Sequence, residues 1–323
     1  MLAARDRLAA REIAELWDQL SGRAPCVTMA SRVLLDALGL GLEQATRAAP
    51  DFASCRAFED WLWSTGVHDA EHLARYRAWR DGAAAPAATA HLLDTVARMD
   101  PVLSPGDLAQ WERDGYVVLP AAVTAAEASE TAAFLWDSQR ARPDDPASWQ
   151  GPRQQGIFVQ LFQHASLEPA RRSLRVHKAF AQLWGTADLW MCIDRLSFNA
   201  PLAPGCHFRA PRLHWDVSLA PPIPFGTQGI LYLTDTAANQ GALELVPGFH
   251  HGLAEWAESC GEQDPRSVDL RDRAITVPAS AGDLVIWRHE LPHGASPNTA
   301  DRPRLAQYVN MYSPEIEANP IWR

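Results

Sequence analysis

From Trp190 onward this 323-residue chain breaks into short β-rich runs, each closed off by Pro or Gly, and these constrain the fold more than any other feature. They fall at residues 190–198, 213–219, 229–233, 242–246, 274–277, 283–287 and 305–311. Strands at this spacing build a sandwich or a barrel. The first 80 residues read differently: Leu8, Ile13, Leu16, Trp17 and Leu20 recur at helical spacing, and so do Phe58, Trp61 and Leu62. Residues 81–88 lack large apolar side chains and carry Gly82 and Pro86, which places a boundary near residue 100. The chain therefore divides into a helical extension, 1–100, and a mainly β domain with some helix, 101–323. Within the latter, Ser104 and Pro105 mark a helix start, Gly115 its end, residues 116–120 a strand and residues 124–136 a further helix.

Charge and cysteine content narrow the function. A net charge of -10 with no basic run argues against nucleic acid. Five scattered cysteines suggest neither a disulfide framework nor a zinc-binding pair. The N-terminus mixes charges into an amphipathic pattern rather than a signal peptide, and no apolar run approaches the roughly 20 residues of a membrane span. A cytoplasmic protein with no membrane partner is expected. Thirteen tryptophans point to an aromatic core or pocket and to a fairly apolar small-molecule substrate.

The residues that carry chemistry are His214, Asp216, His293 and Arg304. A His-x-Asp motif arises about 0.8 times by chance in a chain of this composition, so it needs context. On a strand, alternation puts His214 and Asp216 on one face, where both can reach one ion. A His–Asp hydrogen bond on a solvated face is the bland alternative. His293 follows the apolar run 283–287 in a loop that can turn it inward, and His289 in the same loop is its rival. Two imidazoles and a carboxylate on one face of an iron leave positions for a co-substrate and O2. Arg304, beginning the next strand beside the ligand strand, can grip a carboxylate in bidentate fashion, although nearby Arg302 makes a plain surface arginine a fair alternative.

Residues 103–120, His214-Trp215-Asp216, Gly241 to His250, and Gly282 to Asn298 resemble, in order, motifs of the phytanoyl-CoA dioxygenase family. The resemblance runs from about residue 103 to 312. It implies a double-stranded β-helix (jelly roll, cupin-like) that uses Fe(II), 2-oxoglutarate and O2. By the same resemblance His214, Asp216 and His293 are the metal ligands and Arg304 binds the far carboxylate of 2-oxoglutarate. Many members carry a serine two residues after the distal histidine; this chain has Ala295 there, followed by Ser296, the candidate for that contact. The helical extension lies outside the resemblance.

Arg195, Ser197 and Asn199 alternate on one strand, and similar enzymes use a polar pair four residues apart here, which makes Arg195 and Asn199 candidate co-substrate contacts. Gln160 and His164 are weaker candidates for the substrate side. His250 and His251 read as structural, His207 as facing either the site mouth or solvent, and Tyr232 as core. The expected reaction is hydroxylation of an unactivated C–H bond in specialised metabolism, with desaturation, epoxidation or ring formation as other outcomes. Asp216 occupies the position a halide would need, which disfavours halogenation. Two rival readings remain: a zinc hydrolase or isomerase on the same jelly roll, and a non-catalytic binding module. The helical extension is expected either to cover the barrel or to form a homodimer interface.

Overall fold

A computed structural model describes residues 10–24, 26–150, 156–203 and 213–316. Its strands are β1 (Tyr116–Leu119), β2 (Phe158–Val159), β3 (Trp190–Met191), β4 (Leu196–Asn199), β5 (Thr227–Tyr232), β6 (Leu243–Leu245), β7 (Ile275–Val277), β8 (Leu284–Arg288), β9 (His293–Ala295), β10 (Arg304–Tyr308) and β11 (Met311–Tyr312). They form a six-stranded sheet in the order β1-β8-β5-β10-β4-β2, a three-stranded sheet β7-β6-β9 and a two-stranded pair β11-β3. Every pairing is antiparallel.

The large sheet is buried on both faces, which is why its strand β8 reads as an unbroken apolar run from Leu284 to Trp287. Leu284 and Ile286 of β8, Leu231 of β5 and Leu305 of β10 join a core with Trp111, Leu135 and Phe180 from flanking helices. The alternate residues Val285, Trp287, Ile230, Tyr232 and Ala306 meet Leu243 and Leu245 of the small sheet. Each of the leucine, isoleucine and valine side chains so withdrawn from water contributes about 1.5–3 kcal/mol. Tyr232 is core, as its setting suggested: its hydroxyl donates to the Val277 carbonyl at 3.0 Å and accepts from the Leu243 amide at 2.8 Å. It ties the two sheets together.

Local signals explain the helix boundaries. Ser104 and Asp107 form a capping box with Pro105 at the first helical position, and Gly115 ends that helix at φ 78. A Cβ on Gly115 would fall 2.7 Å from His250 Nδ1. The run expected at 190–198 is two strands in different sheets, β3 and β4. The run at 213–219 is not a strand; it holds only a bridge from His214 to His293.

The N-terminal helices, among them Ala10–Leu20, Met29–Ala37, Cys55–Thr65 and Ala70–Arg80, share a core that also takes in Trp190 of β3 and Tyr312 of β11. Asp36 is buried at this junction, where it accepts from the Tyr312 hydroxyl at 2.6 Å and the Ile193 amide at 2.8 Å. Burial raises its pKa to about 6, against the opposing pull of Arg32. Among the described residues no helix is long and apolar enough to cross a membrane.

Because the folded pKa of Asp36 lies above the ordinary 3.8, the neutral carboxyl is the form that folding favours. Its contribution to stability is complete below pH 3.8 and is lost as pH rises through about 6. Urea melts of the Asp36→Asn variant should therefore lack part of the decline in stability that the unaltered chain shows between pH 4 and pH 7, within that window. An identical decline in both proteins would contradict this.

Candidate metal centre

His214 and His293 face each other across a reciprocal pair of backbone hydrogen bonds, each amide donating to the other's carbonyl at 3.0 Å. Trp215 sets the direction of the side chains on either side of it. It is 2 % exposed, donates through Nε1 to the Glu290 carbonyl at 2.8 Å and packs on Phe249 and Trp256. With Trp215 driven into the core, His214 and Asp216 emerge on the opposite side. Alternation thus operates without a strand. Arg266 fixes the backbone here, donating to the Trp215 carbonyl at 2.7 Å and the Val217 carbonyl at 2.6 Å.

His214, Asp216 and His293 form the one cluster of potential metal ligands found among the described residues, their donor atoms all within 4.8 Å of one another. Asp216 lies 3.6 Å from His214 Nε2 through Oδ1 and 3.3 Å from His293 Nε2 through Oδ2. Neighbouring donors of an octahedral ion with bonds of roughly 2.1 Å stand about 3 Å apart. The two histidine–aspartate separations lie close to that spacing. His293 Nδ1 lies 3.0 Å from the Leu291 carbonyl. A proton on Nδ1 satisfies that acceptor and leaves the Nε2 lone pair facing the cluster.

Desolvation works against ionisation of Asp216, but His293, His214 and Gln228 outweigh it and hold the carboxyl well below its usual range. Asp216 is thus anionic, the form a ligand requires. Gln228 Nε2 donates to Oδ2 at 2.7 Å and orients the carboxylate. Neither Gln228 nor Arg266 was singled out from sequence, since both reach this segment through the fold. His289, the rival of His293, turns the other way onto the Pro224 carbonyl. Burial lowers its pKa to about 4.

A cavity of about 240 Å³ contains all three ligands and is lined by Arg195, Gln228, Ile230, Leu243, Trp287, Arg304 and Tyr308, among others. Arg304 is not beside the ligand strand, as its place in sequence suggested. It begins β10 of the large sheet, between β5 and β4, while His293 begins β9 of the small sheet. The two face one another across the cavity. Arg304 is 1 % exposed, which excludes a surface arginine, and one guanidinium nitrogen donates to Ser197 Oγ at 2.8 Å. Its Nε is buried and has no partner among the described residues. A buried cation with an unmatched donor beside a ligand cluster fits a carboxylate.

The other expected positions divide. Arg195 lines the cavity with its guanidinium 4.2 Å above the Phe158 ring. Asn199 and Ser296 are buried but do not line the cavity; the Asn199 amide points toward the Gly241 and Ser296 carbonyls at 3.5 and 3.4 Å. His164 caps a short helix and stacks on Phe134, and Gln160 is exposed. His250 lies against the Glu112 carbonyl at 3.1 Å and His251 against that of Arg113 at 3.2 Å. His207 lies outside the described residues.

Antiparallel sheets flanked by helices, with this cluster between them, define a protein with the architecture of non-haem iron oxygenases. More particularly, the chain belongs to the phytanoyl-CoA dioxygenase family, whose model matches residues 111–306. That family's cofactors are Fe(II) and 2-oxoglutarate, and the His–Asp–His donors and buried arginine suit them. A putative phytanoyl-CoA dioxygenase from Dictyostelium discoideum is 29% identical over 92 residues, 26% of each chain, so the match spans about a quarter of that relative. Among solved structures, the carbocyclase SnoK from nogalamycin biosynthesis is 20% identical, with 70% of this chain and 88% of that one covered, at a TM-score of 0.50. EvdO2 from Micromonospora carbonacea var. aurantiaca, complexed with 2-oxoglutarate, is 18% identical, with coverages of 70% and 97% and a TM-score of 0.50. At these identities the likeness concerns the fold.

The geometry separates the two histidines of the 289–293 loop. In anaerobic equilibrium dialysis the His293→Ala variant should lose Fe(II) affinity by more than about 100-fold, beyond what loss of an outer partner costs. His289→Ala should bind Fe(II) as the unaltered protein does; the reverse ranking would displace His293 from the site.

Proposed function

We propose that this chain is an Fe(II)- and 2-oxoglutarate-dependent dioxygenase with a jelly-roll core, which hydroxylates an unactivated C–H bond of a small, fairly apolar molecule in specialised metabolism. Supporting this most directly is the buried Arg304, which lines the cavity that holds His214, Asp216 and His293 and whose Nε has no partner among the described residues. A zinc hydrolase has no need of a buried arginine facing its metal, and a vestigial binding module has no need to orient three donors.

His214 and His293 are the nitrogen ligands and Asp216 the carboxylate, held to its task by Gln228. Arg304, fixed by Ser197, receives the far carboxylate of 2-oxoglutarate and sets which end of the molecule faces the metal. Arg195 adds a second cation for the same co-substrate from the segment leading into β4. Bound together, iron, 2-oxoglutarate and O2 supply an oxidant able to take hydrogen from an unactivated carbon, with succinate and carbon dioxide as co-products. The apolar walls, Ile230, Leu243 and Trp287, exclude water and hold the substrate carbon in place. Asp216 fills the position a halide would need, so hydroxylation is favoured over halogenation.

Under anaerobic conditions Fe(II) and 2-oxoglutarate together should give a visible charge-transfer band, and no band would overturn the proposal. The Arg304→Gln variant should bind Fe(II) normally while its affinity for 2-oxoglutarate falls by about 100-fold, the scale of losing one side of a buried charge pair. With oxygen admitted, succinate should form in step with a hydroxylated product.

A further inference from the structure

Glu43, on the helix Leu42–Ala48, lies outside the segment matched by the family yet reaches the cavity-lining Arg195, with Oε1 3.3 Å from Nη1. Independent contacts dock the same stretch of chain onto the segment that follows β2 and the residues that lead into β4. Asp36 accepts from the Ile193 amide. Gly41 comes so close that a Cβ would fall 2.6 Å from the Phe162 ring and 2.8 Å from the Ile193 carbonyl. Gln44 and Gln163 exchange side-chain hydrogen bonds at 2.9 and 2.8 Å. Arg195 leaves this joint, crosses the Phe158 ring and enters the cavity that holds His214, Asp216, His293 and Arg304.

An arginine side chain gives up as much as about 2 kcal/mol of rotamer freedom when held in one orientation, so something must hold it. Phe158 restrains the flat face of the guanidinium and Glu43 its end. Asp194, the other nearby acid, is 3.9 Å from Nε, too far for a hydrogen bond. The same oxygen also pairs with Arg47 Nε at 2.7 Å, an exposed contact within one helix that Glu43 does not need in order to reach Arg195. Against the cost of desolvation, the two arginines keep the Glu43 carboxyl below its usual range.

We infer that Glu43 is a positioning residue: its ion pair holds Arg195 in the orientation that presents the guanidinium to 2-oxoglutarate, so that the N-terminal helices complete the co-substrate site. This rests on the contact between Arg195 and co-substrate proposed above. The test is anaerobic titration of 2-oxoglutarate into the Fe(II)-loaded protein, followed by the charge-transfer band, with Fe(II) affinity and melting temperature measured alongside. Arg195→Gln should weaken binding about tenfold, and Glu43→Gln about three- to fivefold, the scale of a partly exposed ion pair. The double variant should bind no more weakly than Arg195→Gln alone, and Fe(II) affinity should not move. Arg47→Gln, which removes the other partner of Glu43, should bind as the unaltered protein does.

If Arg195→Gln weakens binding and Glu43→Gln does not, the positioning role falls while the Arg195 contact stands. Additive losses, or an Arg47→Gln defect equal to that of Glu43→Gln, would mean that Glu43 acts through its helix, and would overturn the inference. Normal binding by Arg195→Gln would remove the contact and the positioning role together.

Discussion

Two backbone hydrogen bonds between His214 and His293 are the constraint on which the rest of the site depends. They join segments far apart in the chain and fix the separation of the two histidine backbones, so that only rotamers remain to bring the imidazoles together. Asp216 then falls into place because Trp215 is anchored in the core, and Gln228 and Arg266 hold the carboxylate and its flanking carbonyls. The three donors are thereby ordered by the protein itself, which is what preorganisation of a metal site means in physical terms.

The electrostatics of the cavity follow from the double burial of the large sheet. Its face toward the cavity sets Arg304 among Ile230, Trp287 and Tyr308, so that cation is little screened, whereas Asp216 across the cavity is half open to water. Ser197 satisfies part of Arg304 and leaves the remainder for an anion. Apolar walls and opposed charges are both needed, the first to shelter a reactive centre and the second to orient what enters.

Much of this was legible in the sequence. Ser104, Pro105 and Gly115 mark their helix because capping and left-handed backbone are local matters. Alternation expected Arg195, Ser197 and Asn199 on one strand; β4 holds only Ser197 and Asn199, while Arg195 stands in the segment leading into it and lines the cavity, which Asn199 does not. Segment 213–219 looked like a strand from its apolar residues, yet Arg266 occupies carbonyls that a neighbouring strand would have used. His289 and His293 could not be ranked from spacing. Their fates follow from pairing: the His289 amide bonds to Gly226, whereas His293 pairs with Leu245 of the small sheet. Gln228 and Glu43 carried no local signal, since their importance comes only from what the fold sets beside them.

The core of the N-terminal helices includes Trp190 and Tyr312. Those helices are synthesised before the strands, so two of the aromatic side chains that close their core, Trp190 and Tyr312, arrive only after the helices have been made. Until then Asp36 lacks its hydroxyl partner and the apolar faces of the helices stay open to water. The helices therefore wait on the strands, and a nascent chain stalled before residue 312 would present a half-built helical layer to chaperones and proteases.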